Sequence, residues 1–243
     1  MAIKAIVFDA YGTLYDVQSL SQITNAEFPR HGELITQVWR LKQLEYTWLR
    51  TLMQSYQSFW DISRDSLEFT LNAIGQTASP AQIDRIMEKY LNLDPYPEAI
   101  DALTALKGVP LAILSNGNQT MLDALVQNSG LDKHLDAVIS VEKARKFKPD
   151  PDAYGLVESA LNVRPADVLF VSSNAFDATA AKDFGFQVAW IERVTPQDLA
   201  AEVEANPVTG PGTMFKILRM QMETFDIEPD HRLKTLSDLA ALT

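Results

Sequence analysis

Hydrophobic and polar positions along the 243-residue chain follow two rhythms. Five short runs, Ile3–Phe8, Leu111–Leu114, Ala137–Ser140, Val168–Val171 and Val188–Ile191, are rich in Val, Ile, Leu and Phe and barely alternate. Such runs fit strands covered on both faces. Between them, Glu98–Leu106, Gln119–Asn128, Pro151–Leu161 and Asp177–Phe184 carry apolar residues at helical spacing. Strand–helix alternation predicts an α/β fold, a Rossmann-like, doubly wound parallel sheet with helices on both faces.

One interval breaks the alternation. Val17 to Pro97 contains no convincing strand but several helical stretches. The longest, Glu33–Tyr56, places Leu34, Val38, Leu41, Leu44, Trp48 and Leu52 on one stripe. Ser66–Ile74 and Pro80–Leu91 follow, and Ser79 before Pro80 reads as an N-cap with proline at the first helical position. The pattern predicts a helical cap domain, 17–97, inserted into a core domain made of 1–16 and 98–243. Asp94-Pro95-Tyr96-Pro97 is the expected stiff return linker. Past the last strand, Thr195-Pro196 opens a helix, Asn206–Gly212 reads as a loop, and Met214–Phe225 as an apolar helix suited to core packing or to a subunit contact.

Composition narrows the classes. Apolar residues make up 47% and charged residues 22%, ordinary globular usage. The apolar runs are far shorter than the roughly 18 residues of a membrane span. A charged leader with a cleavage site is not evident, so the expected location is cytoplasmic. Zero cysteines exclude a disulfide framework, a thiolate metal site and a cysteine nucleophile. With 21 basic against 32 acidic residues the net charge is −11, which disfavours nucleic acid and anionic membrane as partners. An anionic small molecule would need a local positive site.

In a doubly wound sheet, ligands bind beyond the carboxyl ends of the strands. Four such ends carry reactive groups: Asp9-Ala10-Tyr11-Gly12-Thr13, Ser115-Asn116-Gly117-Asn118, the Lys143–Asp152 segment with Lys148-Pro149, and Ser172-Ser173-Asn174-Ala175-Phe176-Asp177. Each has an ordinary reading. Asp9 can cap a turn, Asp177 can be a first-turn acid of its helix, and Ser115-Asn116 can start a helix. Lys148 differs from Lys143, Arg145 and Lys146 because Pro149 stiffens it in an extended backbone. A cation beside Asp9 would favour its charged form. Gly12 can adopt the positive φ that turns the chain back over the strand end. Arg40, in the long cap helix, has Thr36, Gln37, Gln43 and Leu44 as helical neighbours and therefore no acid to pair with. It is either a surface arginine or a guanidinium left for an anion. His31, His134 and His231 show no metal spacing.

In this order the motifs Asp9-Ala10-Tyr11-Gly12-Thr13-Leu14, Ser115-Asn116-Gly117, Lys148-Pro149 and the Asp177 segment resemble the haloacid dehalogenase superfamily, and within it the L-2-haloacid dehalogenases. The likeness extends to the cap run Gln37-Val38-Trp39-Arg40-Leu41-Lys42-Gln43-Leu44-Glu45-Tyr46. The superfamily's phosphatases carry Asp-x-Asp in the first motif, where this chain has Tyr11, a far weaker acid. Where they place magnesium-holding acids ahead of the last Asp, this chain has Ser172, Ser173 and Asn174.

The resemblance implies metal-free, cofactor-free hydrolysis of short (S)-2-haloalkanoic acids to (R)-2-hydroxy acids. Asp9 is then the nucleophile that becomes esterified, with Thr13 orienting it and Lys148 holding it. Arg40, Asn116 and Phe176 receive the halide. Asp177 is the base for ester hydrolysis, with Ser172 and Asn174 placing the water. Ser115, with backbone N–H groups near Tyr11 and Asn116, holds the substrate carboxylate. Tyr154 bonds the lysine or the second carboxylate. Tyr11, Leu44, Phe59 and Phe176 form the apolar wall. The likeness also implies a homodimer. A magnesium-dependent phosphatase of the same superfamily and a non-catalytic binding protein on this fold are the competing readings.

Overall fold

The computed structural model describes residues 3–106 and 108–242. Strand β1 (Ala5–Phe8) opens the core. Strand β2 (Tyr15–Asp16) leads into four helices: α1 (Leu20–Glu27), α2 (Gly32–Leu52), α3 (Phe59–Ala73) and α4 (Pro80–Glu88). Strand β3 (Asp94–Pro95), antiparallel to β2, brings the chain back. Helix and strand then alternate through α5 (Ala99–Ala105), β4 (Leu111–Ser115), α6 (Gln119–Ser129), β5 (Ala137–Ser140), α7 (Pro151–Leu161), β6 (Val168–Ser172), α8 (Ala175–Phe184) and β7 (Gln187–Ile191). Helices α9 (Pro196–Ala205) and α10 (Pro211–Arg219) and strand β8 (His231–Leu233) close the chain.

Six strands form one parallel sheet in the order β5-β4-β1-β6-β7-β8. The chain winds outward from β1 in one direction and later restarts at β6 on the other side. The order therefore reverses between β1 and β6, where open sheets of this kind leave a crevice. Register sets the strand ends level: Phe8 lies opposite Val171 and Ile113, so Asp9, Ser115 and Ser172 emerge along one edge. Every residue of β1, β4 and β6 is buried, which is why those runs do not alternate.

Several elements differ from the sequence expectation. Strand β8 was missed because His231-Arg232-Leu233 is no apolar run; an edge strand at this position pairs with β7 alone. The expected linker Asp94-Pro95 is half of a two-residue ribbon. The helix expected at Met214–Phe225 instead runs Pro211–Arg219: Pro211 has the φ of a first helical position, so the helix starts inside the apparent loop. The expected Glu33–Tyr56 helix ends at Leu52, followed by Gln54 with φ +55°. Helix α3 begins at Phe59, seven residues ahead of expectation, because the Ser58 hydroxyl accepts the Asp61 N–H at 3.1 Å and caps it.

The largest difference is the orientation of α2. The expected apolar stripe Leu34, Val38, Leu41 and Trp48 is only half-buried, and Leu52 is 80% exposed. The buried face carries Ile35, Trp39 and Leu44 together with Thr36, Arg40, Gln43 and Thr47. A polar stripe has displaced an apolar one from the interior, and hydrogen bonds described below offset its burial.

Helices α1 and α2 meet at Gly32, where an added Cβ would lie 2.4 Å from the Asn25 main-chain nitrogen. Gly32→Ala should therefore force α1 from α2 and lower stability by about 1–3 kcal/mol. A shifted midpoint in urea unfolding measures this, and an unchanged midpoint would show that the junction relaxes freely.

Candidate active site

The strand ends converge as the polar pattern predicted. Asp9 follows β1 and is buried; its N–H donates to the Val171 carbonyl at 2.9 Å, tying it to β6. The next turn doubles back because Gly12 adopts φ +93° and the N–H groups of Thr13, Leu14 and Tyr15 all reach the Ala10 carbonyl. That fold returns the Thr13 hydroxyl to Asp9 Oδ2 at 3.2 Å. Asn174 Nδ2 donates to the same oxygen at 2.7 Å, and Lys148 Nζ donates to Oδ1 at 3.2 Å. The Ser173 N–H donates to Thr13 Oγ1 at 2.9 Å, so the β6 end locks the hydroxyl that orients Asp9.

Lys148 is almost wholly buried and its ammonium is shared. It lies 3.0 Å from Asp177 Oδ2, which also accepts from Ser172 Oγ at 3.0 Å. Tyr154 donates to Asp177 Oδ1 at 2.7 Å. The lysine's main chain is fixed as well, its N–H donating to Asn116 Oδ1 at 3.0 Å. Burial pushes the Asp177 carboxyl up to about 6; Lys148 opposes this and the Asp9 charge adds to it. Burial also holds the phenols of Tyr154 and Tyr11 well above their ordinary value, so both stay protonated.

A cavity of about 20 Å³, the room of one water, lies over these groups, lined by Asp9, Tyr11, Arg40, Leu44, Phe59, Asn116, Lys148, Asn174 and Phe176. Larger depressions, such as one of about 360 Å³ between Tyr46, Leu49, Arg50, Met53 and Asp65, hold no converging reactive groups. The cap supplies Arg40, Leu44 and Phe59, and the Phe59 ring stacks on Tyr11 at 5.5 Å. Arg40 is buried, and among the described residues it forms no ion pair. Its Nη1 donates to Gln43 Oε1 and to the Tyr90 hydroxyl, while Nε has no protein partner.

Of the expected site residues, nine line the cavity and four stand behind it. Thr13, Ser172, Asp177 and Tyr154 act on Asp9, on the lysine or on each other. Of the two partners expected for Tyr154, the lysine and the second carboxylate, its hydroxyl ends on the carboxylate of Asp177, and the residue does not line the cavity. Ser115 is buried at the end of β4 with its oxygen accepting the Gly117 N–H at 3.3 Å, and it does not line the cavity. Ser173, Tyr90 and Ser63 join the site without having been expected there. Only Ser173, inside a quoted motif, carried any signal. Among the described residues no three His, Cys, Asp or Glu side chains cluster as metal ligands.

Residues 3–185 match the family of haloacid dehalogenase-like hydrolases. An (S)-2-haloacid dehalogenase of Xanthobacter autotrophicus is 50% identical over 240 residues, covering 99% of this chain and 94% of that protein. One from Pseudomonas fluorescens is 45% identical over 79% of this chain and 85% of its own. The solved structure of the Xanthobacter autotrophicus L-2-haloacid dehalogenase superposes with a TM-score of 0.95 over 99% of this chain and 98% of that one, at 50% identity. A second structure of it, with chloropropionic acid covalently bound, matches equally well.

The titration of Asp177 makes a testable statement. If it must be unprotonated to act, turnover should rise with pH through about 6. Removing the phenol that stabilises the charged form, Tyr154→Phe, should move that limb to higher pH. A kcat profile with an unmoved limb would assign it to another group.

Proposed function

The chain belongs to the haloacid dehalogenase-like hydrolases, and we propose that it hydrolyses short (S)-2-haloalkanoic acids to (R)-2-hydroxyalkanoic acids through an ester on Asp9. One observation carries the reading. A carboxylate with three donors behind it faces, across a cavity with little room for water, a guanidinium that forms no ion pair among the described residues.

In the first step an Asp9 oxygen attacks the halogen-bearing carbon in line. The carbon–halogen bond breaks with its electron pair, halide leaves, and the centre inverts. Arg40, Asn116 and the edge of Phe176 surround the position the halide takes. The Asn116 amide oxygen is engaged by Lys148, so its NH2 end remains for the anion. The substrate carboxylate is bound by Ser115 and by main-chain N–H groups near Tyr11 and Asn116. Ser115 must then move towards the cavity, and the cap must open to admit a molecule larger than a water.

In the second step water attacks the ester carbonyl. Asp177 takes its proton while Ser172 and Asn174 place the water; as the tetrahedral intermediate collapses, the C–O bond to the substrate breaks, that oxygen takes the proton back from Asp177, and the hydroxy acid leaves with Asp9 regenerated. Halide departs without a proton. That suits a site in which burial keeps the Tyr11 phenol protonated where a phosphatase carries its acid. The donor set also favours operation without a metal, because both oxygens of Asp9 and of Asp177 are already taken by ammonium, amide or hydroxyl donors.

In the same reading two copies associate through the outward stripe of α2. Leu49, Leu52 and Met53 there, and Met214, Ile217 and Leu218 on α10, which packs beside it, are exposed apolar side chains. No helix among the described residues is long and apolar enough to cross a membrane. The proposed setting is the cytoplasm, where a fold without cysteine lacks nothing.

A single turnover in oxygen-18 water should place the label in Asp9; label appearing directly in the hydroxy acid would exclude the ester. Halide should be released from (S)- but not (R)-2-chloropropionate, and a chelator should leave the rate unchanged. Arg40→Lys should lower turnover by about a hundredfold or more, the scale of losing a donor to developing charge. A near-normal rate removes Arg40 from the halide role.

A further inference from the structure

Buried arginines are ordinarily paired with an acid. Among the described residues the hydrogen-bond partners of Arg40 are all neutral, and they form an ordered chain. Its Nη1 donates to Gln43 Oε1 and, at 3.2 Å, to the Tyr90 hydroxyl, which itself donates to Gln43 Oε1 at 3.1 Å. Gln43 Nε2 donates to Ser63 Oγ, whose O–H donates to the Phe59 carbonyl at 2.6 Å. The Ser63 carbonyl accepts from Trp39 Nε1 at 2.7 Å. Gln43, Ser63, Tyr90 and Trp39 are all buried, and they come from α2, α3 and the turn after α4.

The chain has one direction. It starts on the guanidinium and ends on the main chain of Phe59, whose ring walls the cavity. The Gln43 amide is held with oxygen towards the arginine and nitrogen towards Ser63. Nη1 is thus anchored while the buried Nε keeps no protein partner.

We propose that Gln43, oriented by Ser63 and Tyr90, is the positioning residue that aims Arg40 at the leaving halide while leaving its charge uncancelled. The proposal rests on the dehalogenation reading and adds to it the reason for a neutral acceptor. A glutamate of the same shape at position 43 would bind the guanidinium more tightly and cancel the charge that the halide needs. Fixed neutral dipoles hold the cation in place with no rearrangement when the carbon–halogen bond breaks.

The test separates the two chemical steps and adds a binding measurement. Sodium bromide is titrated into wild type, Gln43→Glu and Gln43→Met by calorimetry. Halide release and ester decay are followed in single turnovers with 2-bromo- and 2-chloropropionate. Gln43→Glu should weaken bromide binding by about tenfold or more. It should slow halide release by a similar factor, more for chloride than bromide, and leave ester hydrolysis unchanged. Gln43→Met, which keeps the charge and loses the anchor, should fall between. Ser63→Ala, a smaller change that frees the amide to turn, should show the same selective slowing if Gln43→Glu fails to fold.

Wild-type bromide binding and halide release in Gln43→Glu would overturn the proposal. So would equal slowing of both steps in every variant, the signature of a merely structural role. A wild-type protein that neither binds bromide nor releases halide would instead sink the dehalogenation reading itself.

Discussion

Two carboxylates share one buried ammonium, and the rest of the site is arranged around that fact. Lys148 Nζ stands 3.2 Å from Asp9 and 3.0 Å from Asp177, with all three side chains withdrawn from water. Two negative charges this close in a dry cavity would otherwise drive one carboxyl to keep its proton. Burial pushes the Asp177 carboxyl up to about 6; the lysine works against this rise and the neighbouring Asp9 charge adds to it. Asp9 has the Thr13 hydroxyl and the Asn174 amide besides the lysine. The two carboxylates are therefore held differently, Asp9 by a hydroxyl, an amide and the ammonium, Asp177 by two hydroxyls and the same ammonium.

The sheet makes the sharing possible. Asp9 and Ser172 leave neighbouring strands at matched register, and α8 begins three residues beyond Ser172, so the second carboxylate arrives beside the first. The lysine comes from the segment before α7 and is held by its own N–H on the Asn116 side chain. The positions of the two carboxylates thus follow from strand pairing, and that of the cation from a loop hydrogen bond.

The second cation belongs to the cap and is handled differently. Lys148 is matched by acids; Arg40 is met by an amide and a phenol, which leaves its charge available. Cap and core are joined around it by Thr51, whose hydroxyl accepts the Phe147 N–H at 3.1 Å, and by Tyr56 stacked on Phe147 at 5.2 Å. At the crossing point Arg193 donates to the Thr13 carbonyl at 2.8 Å, pairs with Glu98 at 3.0 Å and lies 3.3 Å from the Tyr96 ring centre. The turn after Asp9 is therefore tied, through Arg193 and through the Tyr96 N–H on the Leu14 carbonyl at 2.9 Å, to the segment by which the chain returns to the sheet.

Much of this was legible in the residue pattern. Unalternated apolar runs announced a sheet buried on both faces, and the polar groups that follow four of them announced the site, because strand ends of a parallel sheet share one edge. Asp9, Lys148 and Asp177 stood out as candidates at strand ends, and the acid-free surroundings of Arg40 could be read from its helical neighbours; their roles came only with the family resemblance. Sequence did not reveal which face of α2 turns inward, since its apolar stripe was the stronger periodic signal and the structure buries the polar one. Nor did it reveal Tyr90 and Ser63 as partners of Gln43, which of its two expected partners Tyr154 takes, or that Ser115 stands off the cavity. Periodicity records what a segment could bury, whereas hydrogen bonds between residues 20 to 50 positions apart exist only once packing has chosen the face. The chain order determined the fold and the chemical groups; tertiary packing decided which charge is shared between two carboxylates and which is met by an amide and a phenol.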